Sequence, residues 1–462
     1  MSEEIVRRIP RIFAIFVVVI MTLSFTLLGP SSVKAKEDKT VEEEKLDILM
    51  DRGAIPSKKY NELKKSLEKE KEKNGIVLYP YYKDGFFLEA PEKEFRIRIG
   101  GRVQLDYYSF DHNGQDASSS FTMKRARMFL AGTLYKKLDF KVELNFGEGK
   151  DAYLADGYIN LDYVPYAQIK IGQFKEPFGL EILTSFKYVD FVERSIISTQ
   201  ISPSRDIGIM VHADPFRGFM GYGLGIFNGN GPNKEWDENN DKDIAGRIYL
   251  RPFLNTKGTL LKGLQLGGKF TLGEHEGSVK NIMVPTSERT IVGWAAGVKS
   301  DDNIWRVGAE LAWALGPFSL KGEWMEMHWD GLELNNMRED AEVYGWYIGA
   351  TCLVTGEEKI LKKGVFRRVN PGRKFDPVKG SWGAWELAAR YESFTVAKNI
   401  FDTGYATGTD GVRSSTLGIN WYLNNLFRIS FSYVNNHFED EMEELSGEDE
   451  EDLFLFRCQV EF

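Results

Sequence analysis

The stretch Phe95-Arg-Ile-Arg-Ile-Gly-Gly-Arg-Val-Gln-Leu-Asp-Tyr107 decides the fold class, because its apolar and polar residues alternate almost without a break. One face carries the apolar residues Phe95, Ile97, Ile99, Val103, Leu105 and Tyr107. The other face carries Arg96, Arg98, Arg102, Gln104 and Asp106. A period of two places successive side chains on opposite faces of a β-strand. The stretch therefore predicts a strand with one apolar and one charged face.

The same alternation returns along the chain, for example at 138–146, 305–313 and 427–433. Tight connections occur at Tyr135-Lys136, Val164-Pro165, Pro215-Phe216, Gly316-Pro317 and Asn424-Asn425. Long polar connections fall near 109–120, 175–204, 229–241, 274–302, 330–340, 397–411 and 436–452. Long strands joined by alternately short and long connections are typical of a transmembrane β-barrel, with the short turns in the periplasm. A soluble sandwich has shorter strands and similar loops at both ends.

The number of strands follows from barrel closure. A scan for alternation gives 17 candidate strands, whereas a single-chain bacterial barrel needs an even number. We assign the weakest candidate, 290–300, to an outer loop as a protruding hairpin. The prediction is an all-β, 16-stranded antiparallel barrel, in which the unusually long connection 355–380 lies on the periplasmic side.

Composition excludes other classes of protein. The chain has 462 residues, 13% of them aromatic, and 45 glycines. A mean hydropathy of −0.33 excludes a multi-span helical membrane protein, which needs repeated apolar stretches of about 20 residues. The abundant aromatic residues exclude a disordered chain. The net charge of −9 argues against a nucleic-acid partner.

The N-terminus predicts export. Arg7, Arg8 and Arg11 precede an apolar run from Ile12 to Leu28, and Val33-Lys34-Ala35 provides a cleavage site. This order predicts a signal peptide at 1–35; a retained membrane anchor is the alternative. Export and the barrel strands together predict a location in the bacterial outer membrane, with its lipid as a partner.

Residues 36–75 have helical rather than strand periodicity. Leu46, Leu49 and Met50 fall at helical spacing, as do Tyr60, Leu63 and Leu67. The segment predicts a periplasmic helical hairpin or coiled coil, and its function stays open between an oligomerising segment and a solvated charged linker. A linker at 76–94 then leads to the barrel at 95–462.

The last strand predicts how the barrel closes. Phe454, Phe456, Cys458, Val460 and the terminal Phe462 share one face. A barrel must pair this strand with the first one, because unpaired backbone groups in lipid cost several kcal/mol each. The strand also looks like the recognition strand of outer-membrane proteins, which implies the barrel-assembly machinery as a partner during biogenesis.

Several motifs resemble the phosphate-selective porin O and P family. They are Lys124-Arg125-Ala126-Arg127, Gly132-Thr133-Leu134, 171–181, 227–231, 355–357, 383–391 and 417–422, in family order. The resemblance implies a homotrimeric, 16-stranded outer-membrane porin whose third outer loop, about 175–204, folds into the lumen. The basic residues in and beside that loop become candidates for the constriction: Lys175, Lys187, Arg194 and Arg205. The resemblance does not by itself imply phosphate selectivity.

The lumen charge predicts the function. Five arginines on the first two strands face only Asp106, and with two lysines they form the candidate anion-selective lining: Arg96, Arg98, Arg102, Arg125, Arg127, Lys141 and Lys170. Three or four unpaired arginines near a constriction favour anions by about 2 kcal/mol before screening. We therefore expect a water-filled channel for small hydrophilic solutes that prefers small anions, phosphate being one candidate.

Two alternatives remain open. If the arginines pair with acidic neighbours across the wall, selectivity is weak or absent. The barrel is then a structural envelope protein, which anchors a periplasmic segment that oligomerises or contacts the cell wall.

Other residues give weaker signals. Asp237, Asn239 and Asp241 alternate in an outer loop and are candidate calcium ligands, but a plain hydrated loop is favoured because the spacing of an EF-hand is missing. The five histidines have no metal-binding spacing. We find no Ser-His-Asp grouping and expect neither an enzyme nor a cofactor. Cys352 and Cys458 predict buried or lipid-facing thiols.

Overall fold

The structure, a computed structural model, describes residues 41–74, 76–83, 85–110, 119–149, 151–237 and 239–462. The predicted signal peptide lies outside these residues. Two helices come first, α1 (Val41–Asp51) and α2 (Ser57–Asn74), and the Tyr60 hydroxyl of α2 donates to Asp47 Oδ1 of α1 at 2.6 Å. Within the described ranges, no helix is both long and apolar enough to cross a membrane.

Sixteen antiparallel strands form one closed barrel, which confirms the predicted fold class. The strands are β1 (Phe95–Phe110), β2 (Ser120–Leu134), β3 (Leu138–Asn145), β4 (Tyr153–Leu161), β5 (Gln168–Lys175), β6 (Arg205–Ala213), β7 (Met220–Phe227), β8 (Asp243–Leu250), β9 (Gln265–Ser278), β10 (Lys299–Leu315), β11 (Phe318–Leu334), β12 (Met337–Leu353), β13 (Ala384–Val396), β14 (Gly411–Tyr422), β15 (Phe427–Met442) and β16 (Glu448–Glu461). A short hairpin, Tyr79–Tyr82 with Phe86–Glu89, extends the sheet beside β1.

The barrel closes where β16 pairs with β1, from Leu453 opposite Phe110 to Glu461 opposite Arg102. The terminal Phe462 extends the pairing, since its backbone N–H donates to the Gly101 carbonyl at 3.2 Å and its carbonyl accepts from the Gly101 N–H at 2.9 Å. Closure leaves no sheet edge among the barrel strands, as a lipid environment requires. Cys352 and Cys458 lie on the outward faces of β12 and β16 and form no disulfide.

The five predicted tight turns all lie at one end of the barrel. At the other end, the predictions of long loops at 330–340 and 436–452 are wrong. Asn335 and Asn336, both with positive φ, form a two-residue turn between β11 and β12, and residues 443–447 alone join β15 to β16. The polar residues predicted as loops instead lengthen the strands beyond the apolar band.

The weakest candidate strand lies outside the barrel, as predicted. The strand Thr290–Trp294 pairs with Ile282–Met283 and with Ala406–Gly408. These three strands form a small sheet at the outer mouth, which we call the outer sheet. The helix α5 (Asn399–Asp402) precedes its third strand, and the barrel keeps 16 strands.

Two connections fold into the lumen from opposite ends. Loop L3 (176–204) enters from the outer end and contains the helices α3 (Leu180–Leu183) and α4 (Ile196–Gln200). The inner segment (354–383) enters from the end with the tight turns, and it contains a hairpin of Leu361–Lys362 with Val365–Phe366. The two meet where Leu180 of L3 packs in one buried cluster with Leu361 and Phe366. The sequence predicted the length and side of the inner segment but not its entry into the lumen.

An apolar core fills the outer half of the lumen on one side. Ile196, Ile197 and Ile201 of L3 pack there against inward-facing residues of β11–β13, such as Met325 and Phe394, and beneath the outer sheet. This packing differs from the predicted polar lumen. Because apolar side chains occupy this side, the space for water lies along β1–β8.

Candidate functional site

A cavity of about 910 Å³ lies between L3, the inner segment and strands β1–β8. Its acidic lining residues are Glu143, Glu148, Asp156 and Asp214. Its basic lining residues are Arg98, Arg102, Arg125, Arg127, Lys141, Lys170, Lys175, Lys187, Arg194, Arg205, Arg247, Lys363 and Arg367. Within the described part of the chain, the lining therefore has thirteen basic and four acidic side chains. This charge excess makes the cavity the candidate functional site.

Most of the residues predicted for the pore line this one cavity. All four constriction candidates line it, as do the predicted arginines of β1 and β2 other than Arg96. Arg96 is exposed, is not part of the lining, and lies opposite Glu89 of the short hairpin. Sequence reasoning missed Lys363 and Arg367, because nothing in a periplasmic connection shows that it folds back into the barrel.

A β-bulge in β2 adds a second positive charge to the lumen face. The register between β1 and β2 shifts between Gln104 and Asp106, so that two successive residues of β2 point inward. Lys124 Nζ lies 3.3 Å from Glu193 Oε1 of L3, and the Arg125 guanidinium lies 3.4 Å from the centre of the Phe186 ring of L3. The bulge therefore aims both Lys124 and Arg125 at L3.

Two carboxylates neutralise part of the lining. Glu143 Oε1 lies 3.1 Å from Arg127 Nη1 and 3.6 Å from Arg102 Nη2. Asp156 Oδ1 lies 2.6 Å from Arg205 Nε. Lys141 Nζ bridges the two, at 2.5 Å from Glu143 and 2.6 Å from Asp156. Four cations thus share two carboxylates, and the group keeps a net positive charge.

Several guanidinium N–H groups in the lining have no partner. Arg102 and Arg127 lie directly opposite each other on β1 and β2, and the Nε of each lacks a hydrogen-bond acceptor among the described residues. Arg125 lacks an acceptor at both Nε and Nη1. Buried donors without acceptors are costly, and these N–H groups point to a ligand that carries acceptor atoms.

The Phe186 ring of L3 contacts two cations of the cavity lining, Arg125 and Arg194. The Arg194 guanidinium lies 4.0 Å from its ring centre, on the same ring that Arg125 contacts. Arg194 donates to the carbonyls of Glu181, Ile182 and Thr184 at 2.7–3.1 Å. Burial lowers the pKa of Arg194 to about 9, so it stays charged at neutral pH. Its hydrogen-bond partners are neutral carbonyls, and the nearby Glu181 and Glu193 carboxylates compensate part of its charge.

Loop L3 is fixed to the opposite wall, which consists of β11–β16. Glu323 of β11 accepts the backbone N–H groups of Leu180 at 2.6 Å and Glu181 at 2.9 Å. Gly179, with φ of +81°, makes this turn possible, since a Cβ there would lie 2.9 Å from Ile182 and 3.2 Å from Ser202 Oγ. Lys269 pairs with the same carboxylate.

Acidic residues of L3 complete the anchor. Glu181 accepts the Ser195 N–H at 2.9 Å and the Ser195 hydroxyl at 2.8 Å. Burial alone would raise the pKa of Glu181, but Lys321 and Arg390, together with Ser195, lower it to about 2. Asp190 lies 2.9 Å from Lys321 and 2.7 Å from Lys359 of the inner segment. Lys359 therefore joins L3 to the inner segment.

The cations of this wall hold the loop. Arg428 donates to the Val189 carbonyl at 2.8 Å, and Arg390 donates to the Glu193 carbonyl at 3.2 Å. Arg457 pairs with Asp106 of β1 at 2.5 Å and lies 3.8 Å from Glu193 Oε1 of L3. Most basic residues that line the cavity thus lie on β1–β8, whereas Arg390, Arg428 and Arg457 of the opposite wall contact L3.

The candidate calcium ligands have protein partners. Asp237 pairs with Lys242, the Asn239 Nδ2 donates to the Glu274 carbonyl at 2.8 Å, and Asn239 Oδ1 accepts the Asp241 N–H at 3.0 Å. These bonds are those of a folded polar loop.

The comparisons with known proteins agree with this architecture. Residues 97–462 match the family model described as Phosphate-selective porin O and P. The chain belongs to this porin family. It is also 29% identical over 429 residues to Porin O of Pseudomonas aeruginosa, with 82% of this chain and 91% of that protein covered. It is therefore a non-enzymatic channel of the bacterial outer membrane.

Solved structures share the porin fold at low sequence identity. OmpT of Vibrio cholerae matches with a TM-score of 0.52 and 11% identity, covering 80% of this chain and 98% of that one. The anion-selective porin from Comamonas acidovorans matches with a TM-score of 0.52 and 12% identity, covering 80% and 100%. At such identities these matches show the fold alone.

Proposed function

We propose that this porin is an anion-preferring diffusion channel whose selectivity arises in the lumen cavity. The single observation that carries the proposal is the lining of thirteen basic and four acidic side chains beside L3. Charged rings favour the passage of ions of opposite sign. One unpaired charge about 7 Å from an ion in water contributes roughly 0.6 kcal/mol, so a few of them give a marked preference.

The open donors support oxyanions as preferred solutes. The unpartnered N–H groups of Arg102, Arg125 and Arg127 face one region of the lining. Guanidinium groups bind phosphate and carboxylate oxygens more strongly than neutral donors do, because the hydrogen bonds are charge-assisted. The matching family model is described as Phosphate-selective porin O and P, and one relative is named Porin O. We therefore propose binding of phosphate-like anions at these three arginines.

Phosphate titrated into a chloride conductance measurement tests the binding. The purified porin is placed in a planar bilayer in KCl, and phosphate is added on one side. We expect the chloride conductance to fall and to saturate as phosphate occupies the site. Fluoride at equal ionic strength, an anion without oxygen atoms, controls for salt effects. A phosphate response equal to the fluoride response would contradict the binding site.

We also propose that the channel assembles as a homotrimer. The outward faces of β1–β4 carry exposed apolar residues, among them Ile99, Leu105, Met128, Leu130 and Val142. A solved OmpT structure with a TM-score of 0.50 is described as a trimer form. Cross-linking in mild detergent tests the assembly, and a product no larger than the single chain would contradict it.

A further inference from the structure

We propose a divalent-metal site of the zinc type on the outward face of the barrel, formed by Glu326 and His328 of β11 and Glu342 of β12. One imidazole nitrogen and one oxygen of each carboxylate lie within 4.8 Å of one another. A nitrogen and two carboxylate oxygens form a donor set that Zn²⁺ accepts, with water or another ligand in the fourth position. The site is separate from the pore.

Strand pairing brings the three residues together. His328 lies directly opposite Glu342 in the β11–β12 register, and Glu326, two residues before His328, shares its face. The inward-facing neighbours Met325, Met327 and Trp329 are buried, whereas Glu326, His328 and Glu342 are half-buried. An ion can therefore reach the cluster from outside the barrel.

The distances suit insertion of an ion. His328 Nε2 lies 2.6 Å from Glu326 Oε1 and 3.7 Å from Glu342 Oε2. Ligand atoms around a tetrahedral zinc ion, with bonds of about 2.0–2.1 Å, lie about 3.3 Å apart. The two observed separations bracket this value, so small rotations of the glutamate side chains are enough.

An adjacent aromatic ring fixes the imidazole. Trp305 of β10 lies opposite His328 in the sheet, and the two rings stack with centroids 3.9 Å apart and planes 10° apart. The stack sets the ring plane and keeps Nε2 directed at the carboxylates. Such positioning of a ligand before the metal binds is what neighbouring groups do in established metal sites.

The position of the cluster along the barrel axis explains why charged side chains are tolerated on the outward face. Trp324 and Trp346 form an opposite pair with exposed rings on the same two strands, and the cluster lies between this pair and the outer turn at Asn335. Aromatic rings mark the interface of the membrane. The cluster therefore lies just outside the apolar band, where two adjacent carboxylates repel each other and a divalent cation removes the repulsion.

Zinc binding to the intact porin without a histidine tag, measured by competition with a chromophoric chelator, tests the proposal. We expect one Zn²⁺ per chain, and His328→Ala and Glu342→Gln should each lower the affinity by at least about tenfold, since even indirect support of a ligand contributes about that much. His437→Ala is the matched control, because His437 also faces outward and has one carboxylate, Glu450, 3.8 Å away.

Unchanged mobility of unheated protein on gels verifies that each variant is folded. X-ray absorption of the zinc-loaded protein should show one imidazole in the wild type and none after His328→Ala. The proposal is wrong if the wild type does not bind Zn²⁺, if His328→Ala binds it as tightly as the wild type does, or if His437→Ala abolishes binding.

Discussion

Individual residues of the open lumen wall divide into paired and unpaired charges. Lys141 and Arg205 each contact a carboxylate within 2.6 Å, whereas Arg125 has open N–H groups and Lys170 contacts the Tyr158 and Phe174 rings. A cation without a directly paired carboxylate is compensated less and acts more strongly on a passing ion. Selectivity should therefore depend on Arg125 and Lys170 more than on the paired cations.

The double variant Arg125→Gln, Lys170→Gln should reduce the anion preference. Each charge about 7 Å from the ion contributes roughly 0.6 kcal/mol, so losing both lowers the preference about fivefold to tenfold before screening. The zero-current potential in a salt gradient measures this change. Arg96→Gln is the control, because Arg96 lies outside the cavity lining. An equal shift in both proteins would contradict a role for the cavity.

For individual residues, the sequence predicted the strand face on which a side chain lies better than it predicted the contacts of that side chain. Strict alternation along β1 placed Arg98 and Arg102 on the lumen side, where the structure has them. Alternation also placed Arg96 there, but the strand continues past the end of the cavity. The cluster of Glu326, His328 and Glu342 needs the β11–β12 register, and a histidine considered by its spacing in the sequence alone gives no sign of a partner on the next strand.

Among the elements, L3 depends on buried carboxylates for its position. Glu193 accepts from the Tyr108 hydroxyl at 2.7 Å and lies 3.3 Å from Lys124. Burial alone would raise the pKa of Glu193, but Lys124, Arg457 and Arg125 lower it to about 2, and Glu181 has a pKa of about 2 as well. Both groups are therefore ionised in the folded protein far below the usual range for glutamate, about 4.3.

A lowered pKa in the folded state stabilises the protein above the unfolded-state pKa, and this stability is lost as the pH falls toward the folded-state value. The stabilisation from Glu181 and Glu193 should therefore be complete above about pH 5 and decline between about pH 4 and pH 2. The double variant Glu181→Gln, Glu193→Gln cannot titrate at these positions. Denaturation midpoints should differ between wild type and variant at pH 6, and the difference should shrink steadily as the pH falls to 2.5.

Tryptophan fluorescence during urea unfolding gives these midpoints. Glu439→Gln serves as the control, since Glu439 pairs with Arg413 on an exposed surface, where ion pairs contribute little. A difference between wild type and the double variant that stays constant from pH 6 to pH 2.5 would contradict the anchoring role.

The two inward segments differ in how far the sequence predicted them. The resemblance to known porins implied that L3 enters the lumen, and its contacts agree. For the inner segment the sequence predicted a long connection, but its entry rests on tertiary contacts: the Gly364 carbonyl accepts from Arg247 at 2.7 Å, and Lys359 pairs with Asp190 and Glu386. Two of these contacts, Arg247 with Gly364 and Lys359 with Asp190, join residues more than 100 positions apart, and none has a local signal.

For the whole molecule, closure between β16 and β1 is what makes the barrel stable in lipid. We expect the unheated porin to migrate anomalously on gels and to shift on boiling, as compact closed barrels do. Deletion of 453–462 removes the residues of β16 that pair with β1 and should abolish the difference. Identical mobility of the wild type before and after boiling would contradict the closed barrel.

The overall architecture was predictable because lipid restricts the options. Alternation, an even strand number and a terminal amphipathic strand together led to 16 strands. The sequence did not predict that one side of the lumen is filled by apolar side chains. Inward-facing residues such as Met325, Phe394 and Val412 occupy the same alternating positions that polar residues occupy elsewhere. Which side of the barrel holds water depends on where L3 packs.

The net charge of the chain and the charge of its pore have opposite signs. The chain carries −9 overall, whereas the cavity lining has thirteen basic and four acidic residues. Ions in transit respond to the local field, because salt screens charges beyond about 8–10 Å. We therefore infer that the lining, and not the net charge, decides which ion passes.

The zero-current potential of the wild-type porin in a KCl gradient across a planar bilayer tests this inference. We expect a potential whose sign shows chloride crossing more readily than potassium, largest at low salt, where screening is weakest. A potential of the opposite sign, with potassium crossing more readily, would contradict it.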